Sequence, residues 1–311
     1  MSSEILVTGA AGFAGSHLID LLVHSGANVI AWHRPGGSPP REQPGARWDA
    51  VDLLDQAQVQ AAIERTRPSA VYHCAGAAHV GRAWDSTEST FATNVRGTHH
   101  VLQALERSGI AARVLVPSSA LVYASADEAL TENHPLLPSS PYALSKLAQE
   151  MLASKTNGTL AVTIARPFNH VGPRQDPHFV ASGFARRIAD IELGRWAPEI
   201  SVGNLDARRD LTDVRDTVRA YQMILERGQP GRPYNICSGR AISIRDLLDL
   251  LIARARVSVD VKVDPARYRP NDTPLLLGDP ARLRDELGWT PEIPIERTLD
   301  DLLEYWRNKT P

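Results

Sequence analysis

Three glycines near the start of the chain restrict its fold more than any other feature. Gly9, Gly12 and Gly15 lie in the run Gly9-Ala10-Ala11-Gly12-Phe13-Ala14-Gly15. An apolar run at residues 5–7 precedes them and reads as a strand. Residues 14–24 follow and read as an amphipathic helix with Leu18, Leu21 and Leu22 turned inward. Without a Cβ, the backbone turns tightly from strand to helix and approaches a pyrophosphate closely. The helix N-terminus then offers free N–H groups and the positive end of its dipole. Three glycines alone are a weak signal. Straight after the first strand, they predict a dinucleotide-binding βαβ unit.

The rest of the first half repeats the alternation. Strands are expected at 29–32, 70–74, 113–116 and 160–165, and helices at 56–65, 90–107 and 142–155. The strands are nearly continuous in apolar residues, as in a sheet covered on both faces. The prediction is an α/β fold, a Rossmann-type doubly wound parallel sheet. After Arg166 the rhythm changes. Prolines and glycines fill 167–177, and helical patterns follow at 180–193, 216–226 and 296–307. A strand returns at 233–237, and Ser243 with Asp246 forms a capping box opening a helix to Arg254. The expected division is a dinucleotide-binding domain of residues 1–167 plus about 212–240. A smaller, mostly helical substrate domain takes about 168–211 plus 241–311. Residues 34–43, rich in Pro and Gly, are expected to form a surface loop.

Lysine and arginine number 34 against 36 acids, a net charge of -2, and the basic residues are scattered. That balance excludes a nucleic-acid groove or an anionic-membrane surface. No apolar stretch reaches the length of a membrane span, and no basic segment leads a long apolar one, so the expected compartment is the cytoplasm. Cys74 and Cys237 sit in apolar runs and read as buried thiols. The ten histidines show no ligand spacing, and no metal site is expected.

Two places carry the chemistry. At the end of the second strand stand His33 and Arg34, with no acid to bond a ribose 2′-hydroxyl. An arginine there accepts a 2′-phosphate, which favours NADP and leaves NAD possible; otherwise Arg34 is a solvated loop charge. Asp52 meets the adenine edge or caps a helix. Further on, Tyr142-Ala143-Leu144-Ser145-Lys146 puts a phenol and an ammonium one helical turn apart. A nearby positive charge stabilises phenolate, as needed to exchange a proton with an alcohol oxygen while hydride moves at its carbon. Ser118 and Ser119 follow the strand at 113–116, where ligands of open α/β sheets bind. They hold a substrate oxygen or cap a turn.

The ordered segments TGAAGFAG, HCAGAA, NVRGT, SSALVY and YALSK resemble the extended short-chain dehydrogenase/reductase family over essentially the whole chain. The resemblance implies that Tyr142 is the catalytic acid/base and that Lys146 lowers its pKa and holds the nicotinamide ribose. Ser119 would orient the substrate, with Ser118 beside it. Gly9, Gly12, Phe13, Gly15, His33, Arg34, Asp52, Leu53, Ala75, Gly76, Ala77, Asn94 and Pro167 would line the cofactor. In the second half, RPFNHVGPRQ, FVASGFARRIADIE and VGNLDARRDLTDVRD are similar to enzymes that reduce GDP-linked 4-keto-6-deoxy sugars, and to GDP-mannose 4,6-dehydratases. By that likeness Asn169, Arg209 and Arg269 would contact a nucleotide diphosphate and Asp272 its ribose; Arg208 and Arg209 would otherwise pair with Asp210 or Asp213. The dehydratases carry a glutamate two residues before the tyrosine matching Tyr123, and many of the reductases carry an acid there; this chain has Leu121, and Ala124 where a glycine is usual. Leucine transfers no proton, which disfavours dehydration. The expectation is reduction of a GDP-linked keto sugar by NADPH, with a 4-epimerase as the alternative and a non-catalytic dinucleotide sensor as the rival from another class. The long helices at 90–107 and 142–155 imply a homodimer, as in many relatives.

Overall fold

The computed structural model describes residues 4–37, 45–156, 158–268 and 273–309. In chain order, β1 (Glu4–Thr8) leads through the glycine loop into α1 (Phe13–His24), followed by β2 (Asn28–His33), β3 (Ala46–Ala50), α2 (Gln56–Thr66) and β4 (Ala70–His73). Two short helices, α3 (Arg82–Asp85) and α4 (Thr87–Phe91), run into a π-helical turn at Ala92–Arg96 and then α5 (Gly97–Arg107). Next come β5 (Arg113–Pro117), α6 (Pro141–Ala153) and β6 (Ala161–Pro167). The second half contains β7 (Asn169–Val171), α7 (Val180–Glu192), β8 (Glu199–Val202), β9 (Arg208–Asp213), α8 (Val214–Arg227), β10 (Pro233–Ile236), β11 (Ala241–Ser243) and α9 (Ile244–Ile252). It ends with β12 (Asp260–Val263), β13 (Leu275–Leu276), α10 (Ala281–Leu287) and α11 (Ile295–Lys309).

Seven strands form one parallel sheet in the order β10-β6-β5-β4-β1-β2-β3. Chain order reverses beside β1, where Thr8 pairs with Trp32 of β2 and with His73 of β4. A doubly wound sheet opens its ligand crevice at that point, outside the carboxyl ends of the strands. Apolar side chains cover both faces. Leu18, Leu22, Tyr221, Ile224 and Trp289 pack on one, with α1, α8 and α10. Ile63, Val101, Leu105, Val114 and Ala153 pack on the other, with α2, α5 and α6. Local chemistry sets the helix starts: Asp55 caps α2, while α6 begins with Ser140 accepting from the Ala143 N–H and Pro141 in its first turn.

Beyond β6, a second apolar core joins α7, α9 and α11 through Ile188, Leu247, Leu251, Leu299 and Trp306. Two small sheets, β11-β9-β13 with β7 on β9, and β12-β8, edge it. The sequence reading found none of these six strands, nor β3. They are two to six residues long and mostly half-polar, and all four residues of β12 are exposed; alternation over so few positions gives no usable period. The single helix expected at 90–107 is interrupted by the π-helical turn. Part of the expected loop at 34–43 lies outside the described residues.

Candidate active site

The glycine loop fits a cofactor through contacts that only hydrogen could make. Gly9 has φ +64, and a Cβ on it would lie 2.6 Å from backbone atoms of Ala75; a Cβ on Gly15 would lie 2.2 Å from the Gly9 carbonyl oxygen. The loop is thereby pressed against the segment after β4, and α1 starts flush with it. Gly12, the N-cap of α1, has no side chain to satisfy the first N–H groups, so they face the crevice as anion donors. Opposite, the Ala77 N–H donates to Asn94 Oδ1 at 2.7 Å, and a Cβ on Gly76 would touch the same oxygen. Asn94 sits in the π-helical turn, a local widening often found at functional positions. Its Nδ2 reaches Ser145 of α6 at 2.8 Å, and the Ser145 hydroxyl donates to the Tyr142 carbonyl at 2.7 Å. One buried asparagine therefore ties the cofactor-side loop to the first turn of α6.

Tyr142 is partly exposed, but its hydroxyl lies deep, and burial raises its pKa; a hydrogen bond with Ser119 acts in the opposite direction. Ser119 is buried and also accepts from the Leu121 N–H at 3.2 Å. Lys146 is buried one turn on. Burial lowers its ammonium to about 8, against the pull of Glu150. Its direct partner is the Gln149 side-chain oxygen. Lys146 follows Tyr142 by one turn of α6, the spacing from which the sequence reading assigned it to stabilise the phenolate. The Ser118 Oγ is buried with no partner among the described residues, so its hydrogen-bonding capacity is open to a ligand.

The other site candidates lie around this centre. His33 leans on Trp48, Arg34 is exposed, and no carboxylate stands at either position. Asp52 accepts from the Leu54 N–H at 2.9 Å and does not cap α2; Asp55 does. Leu53 packs beneath Gly97, and Pro167 ends β6. Asn169 is exposed in β7. Arg209 donates to the Thr273 carbonyl at 2.6 Å, while Arg269 and Asp272 lie outside the described residues. The acids near Arg209 are structural. Asp210 accepts from Ser238, Gly239 and Gly278. Asp213 pairs with Arg215 at 2.7 Å, and Asp216 holds the N–H groups of Glu292 and Ile293.

Sequence reasoning missed three residues at the cleft, His170, Arg174 and Gln149. Phe13 stacks on His170 with ring centroids 5.6 Å apart and planes 6° apart. Arg174, at φ 73, reaches from the same segment to Asp20 at 2.6 Å and to His17 at 2.7 Å. Both contacts join the second half to α1. Gln149 was legible only as a polar residue three positions after Lys146, on the same helix face.

A glycine cradle at the switch point, with a serine acting on a phenol and a buried lysine one turn beyond it, is the arrangement of the extended short-chain dehydrogenases/reductases. The chain belongs to the GDP-mannose 4,6 dehydratase family, whose profile matches residues 6–302. It is 37% identical to GDP-6-deoxy-D-mannose reductase of Pseudomonas aeruginosa, over 99% of each chain. Among solved structures it is similar to RMD from Pseudomonas aeruginosa complexed with NADPH, with a TM-score of 0.87 and 34% identity, covering 99% of this chain and 100% of that one. A putative epimerase from Burkholderia cenocepacia matches with a TM-score of 0.88 and 34% identity over 99% of both chains.

Proposed function

We propose that this protein reduces the 4-keto group of a GDP-linked 4-keto-6-deoxy sugar, GDP-4-keto-6-deoxy-D-mannose, to give GDP-D-rhamnose at the expense of NADPH. Gly9, Gly12, Phe13, Gly15, Ala75, Gly76, Ala77 and Asn94 would hold the cofactor, which supplies the hydride to C4. Ser119 binds the C4 oxygen and Tyr142 gives its phenolic proton to that oxygen, so ketone, hydride and proton together become the alcohol. The phenolate left on Tyr142 is stabilised by the Lys146 charge and regains a proton from solvent. Ser118, Asn169, Arg209, Arg269 and Asp272 are the proposed substrate contacts, guanidinium being suited to phosphate oxygens.

The observation that carries this reading is a complete Ser119–Tyr142–Lys146 set beside an apolar Leu121, which packs against Ala120, Tyr123, Leu130 and Phe168. Proton exchange at C4 has a donor; no acid stands at 121 to exchange one elsewhere on the sugar. The exposed Arg34 at the end of β2, and the NADPH bound in the similar reductase structure, support NADPH over NADH.

Residues 1–167 with about 212–240 would bind the cofactor, and about 168–211 with 241–311 the sugar nucleotide. A homodimer through α5 and α6 is supported by the exposed apolar side chains Trp84, Leu144 and Met151 on and beside α6. A cytoplasmic location follows from the chemistry, because stoichiometric NADPH oxidation needs a compartment that regenerates it.

The test is a mass-spectrometric assay of GDP-4-keto-6-deoxy-D-mannose with NADPH and NADH in separate reactions. A product heavier by two hydrogens, formed with stoichiometric cofactor oxidation and faster with NADPH, is expected. An unchanged sugar nucleotide in the presence of bound cofactor would sink the reading. The likeness to a putative epimerase favours one alternative, 4-epimerisation with the same three residues; that activity would show as NAD retained by the isolated protein and no net oxidation of added NADPH.

A further inference from the structure

The ammonium of Lys146 is almost wholly buried, and the group that receives it is the side-chain oxygen of Gln149. An ammonium only donates, so the amide must present Oε1 to it and turn Nε2 away. Nε2 donates to Thr98 Oγ1 at 2.7 Å. The Thr98 hydroxyl has one hydrogen, and the Asn94 backbone carbonyl, 2.6 Å away and able only to accept, takes it. Thr98 therefore accepts from His73 as well, and His73 carries its proton on Nε2, 2.9 Å from Thr98. Nδ1 of His73 is left as an acceptor, so Thr8 donates to it at 2.9 Å. Thr8 in turn accepts the Ala75 N–H at 3.2 Å.

The Lys146 charge thus orients the Gln149 amide, and the Asn94 carbonyl orients Thr98; together they set the direction of every hydrogen bond from α6 through α5 and β4 to the end of β1. Ala75, where the chain stops, is the residue that presses on Gly9 in the cofactor cradle. No hydroxyl hydrogen remains uncommitted, so the chain orients groups and relays no proton. His73 stays neutral, since burial lowers it to about 3. The other groups that act on the ammonium are Glu150 from its own helix and Cys74 from the end of β4, while the ammonium itself helps to keep His73 neutral. Glu150 is itself paired with Arg166. Gln149 is therefore the neutral acceptor that meets the charge directly.

We propose that Gln149, Thr98, His73 and Thr8 are positioning residues, which hold the Lys146 ammonium charged and aimed over the cofactor cleft. The inference rests on the assignment of Lys146 under Proposed function. An acceptor bonded to the charged form favours that form, and its removal lets burial neutralise the lysine at lower pH.

The test uses Gln149→Met, which keeps volume and removes both hydrogen bonds, with Thr98→Val and Thr98→Ser as a second pair. NADPH affinity is followed by fluorescence titration against pH, with kcat and thermal stability alongside. Gln149→Met is expected to weaken NADPH roughly 5- to 10-fold near neutral pH, and to move the alkaline fall in affinity and in kcat to lower pH. Thr98→Val should move the same limb in the same direction, and Thr98→Ser, which keeps the hydroxyl, should bring it back. If Gln149→Met does not fold, the Thr98 pair decides the matter. Variants that lose thermal stability while NADPH affinity and the alkaline limb stay at their wild-type values would overturn the proposal. A wild-type protein that binds NADPH but leaves the keto sugar unreduced would sink the substrate reading alone, because the affinity measurements need no sugar.

Discussion

Gly15 and Gly9 approach so closely that a Cβ on the first would lie 2.2 Å from the carbonyl oxygen of the second. The obstacle is backbone on both sides, so no rotamer change relieves it. Gly15→Ala must push α1 away from the loop, and the first N–H groups of the helix move with it. Overpacking of this kind costs about 1–3 kcal/mol. A lower melting temperature together with weakened NADPH binding is expected; a variant matching wild type in both would show that the cradle is looser than these contacts imply.

On the inner side of α6, Glu150 receives Arg166 in a two-pronged ion pair, at 3.0 Å and 2.7 Å, with both residues buried. Arg166 also donates to Tyr123 Oη at 3.0 Å and lies over its ring. Glu150→Ala would strand a buried guanidinium, a loss of about 3–5 kcal/mol. The urea midpoint measures it. Replacing both partners by Leu and Met should cost much less than the single change. If the single variant unfolds within about 1 kcal/mol of wild type, the pair contributes far less than its burial implies.

What was legible in the sequence was local. The glycine loop, the strands beside it and the Ser140–Pro141 start of α6 follow from turn chemistry and apolar period, which act over a few residues. The small sheets beyond β6 depend on partners far along the chain. β9 is half polar and draws β7, β11 and β13 onto it from three separate segments. Asp210 and Asp213 read as possible partners for Arg208 and Arg209, yet Asp210 mainly satisfies backbone N–H groups and Asp213 serves Arg215 and Thr298.

The site divides in the same way. Tyr142 and Lys146 were visible because helical spacing puts them on one face. The partner of Lys146 was not, since Gln149 gains its meaning from Thr98 and His73 on other elements. Asn94 was visible as a residue, but the π-helical turn that lets it reach both Ala77 and Ser145 was not.

Two buried histidines make stability depend on pH. Burial lowers His17 to about 4 and His73 to about 3, from an ordinary 6.5. Between those values and 6.5 the unfolded chain binds protons that the folded chain does not, so stability rises with pH across that window and falls on acidification. From pH 6.5 to 5, above the range where most carboxylates titrate, each histidine accounts for a loss of about 2 kcal/mol. Urea midpoints at pH 7, 6 and 5 should fall in that order. A flat series would mean that one or both imidazoles become protonated without unfolding.

The hydrogen bond between Ser119 and Tyr142 makes the last expectation specific. Burial raises the phenol above its ordinary value while Ser119 pulls it back, so Tyr142 remains protonated at neutral pH and can act as an acid. Lys146, at about 8, loses its charge first as the pH climbs. The rate should therefore fall on the alkaline side near the lysine value, before the phenol itself ionises. Tyr142→Phe removes the proton donor without adding bulk, and should lower kcat by roughly 10²- to 10⁴-fold, with NADPH binding retained. Ser119→Ala should lower kcat less and raise KM for the sugar nucleotide, since it removes an oxygen-binding group and leaves the acid in place. A Tyr142→Phe variant with near-normal turnover would show that the proton comes from elsewhere, and Ser118, buried beside Ser119 with its hydroxyl unpartnered among the described residues, would be the next residue to change.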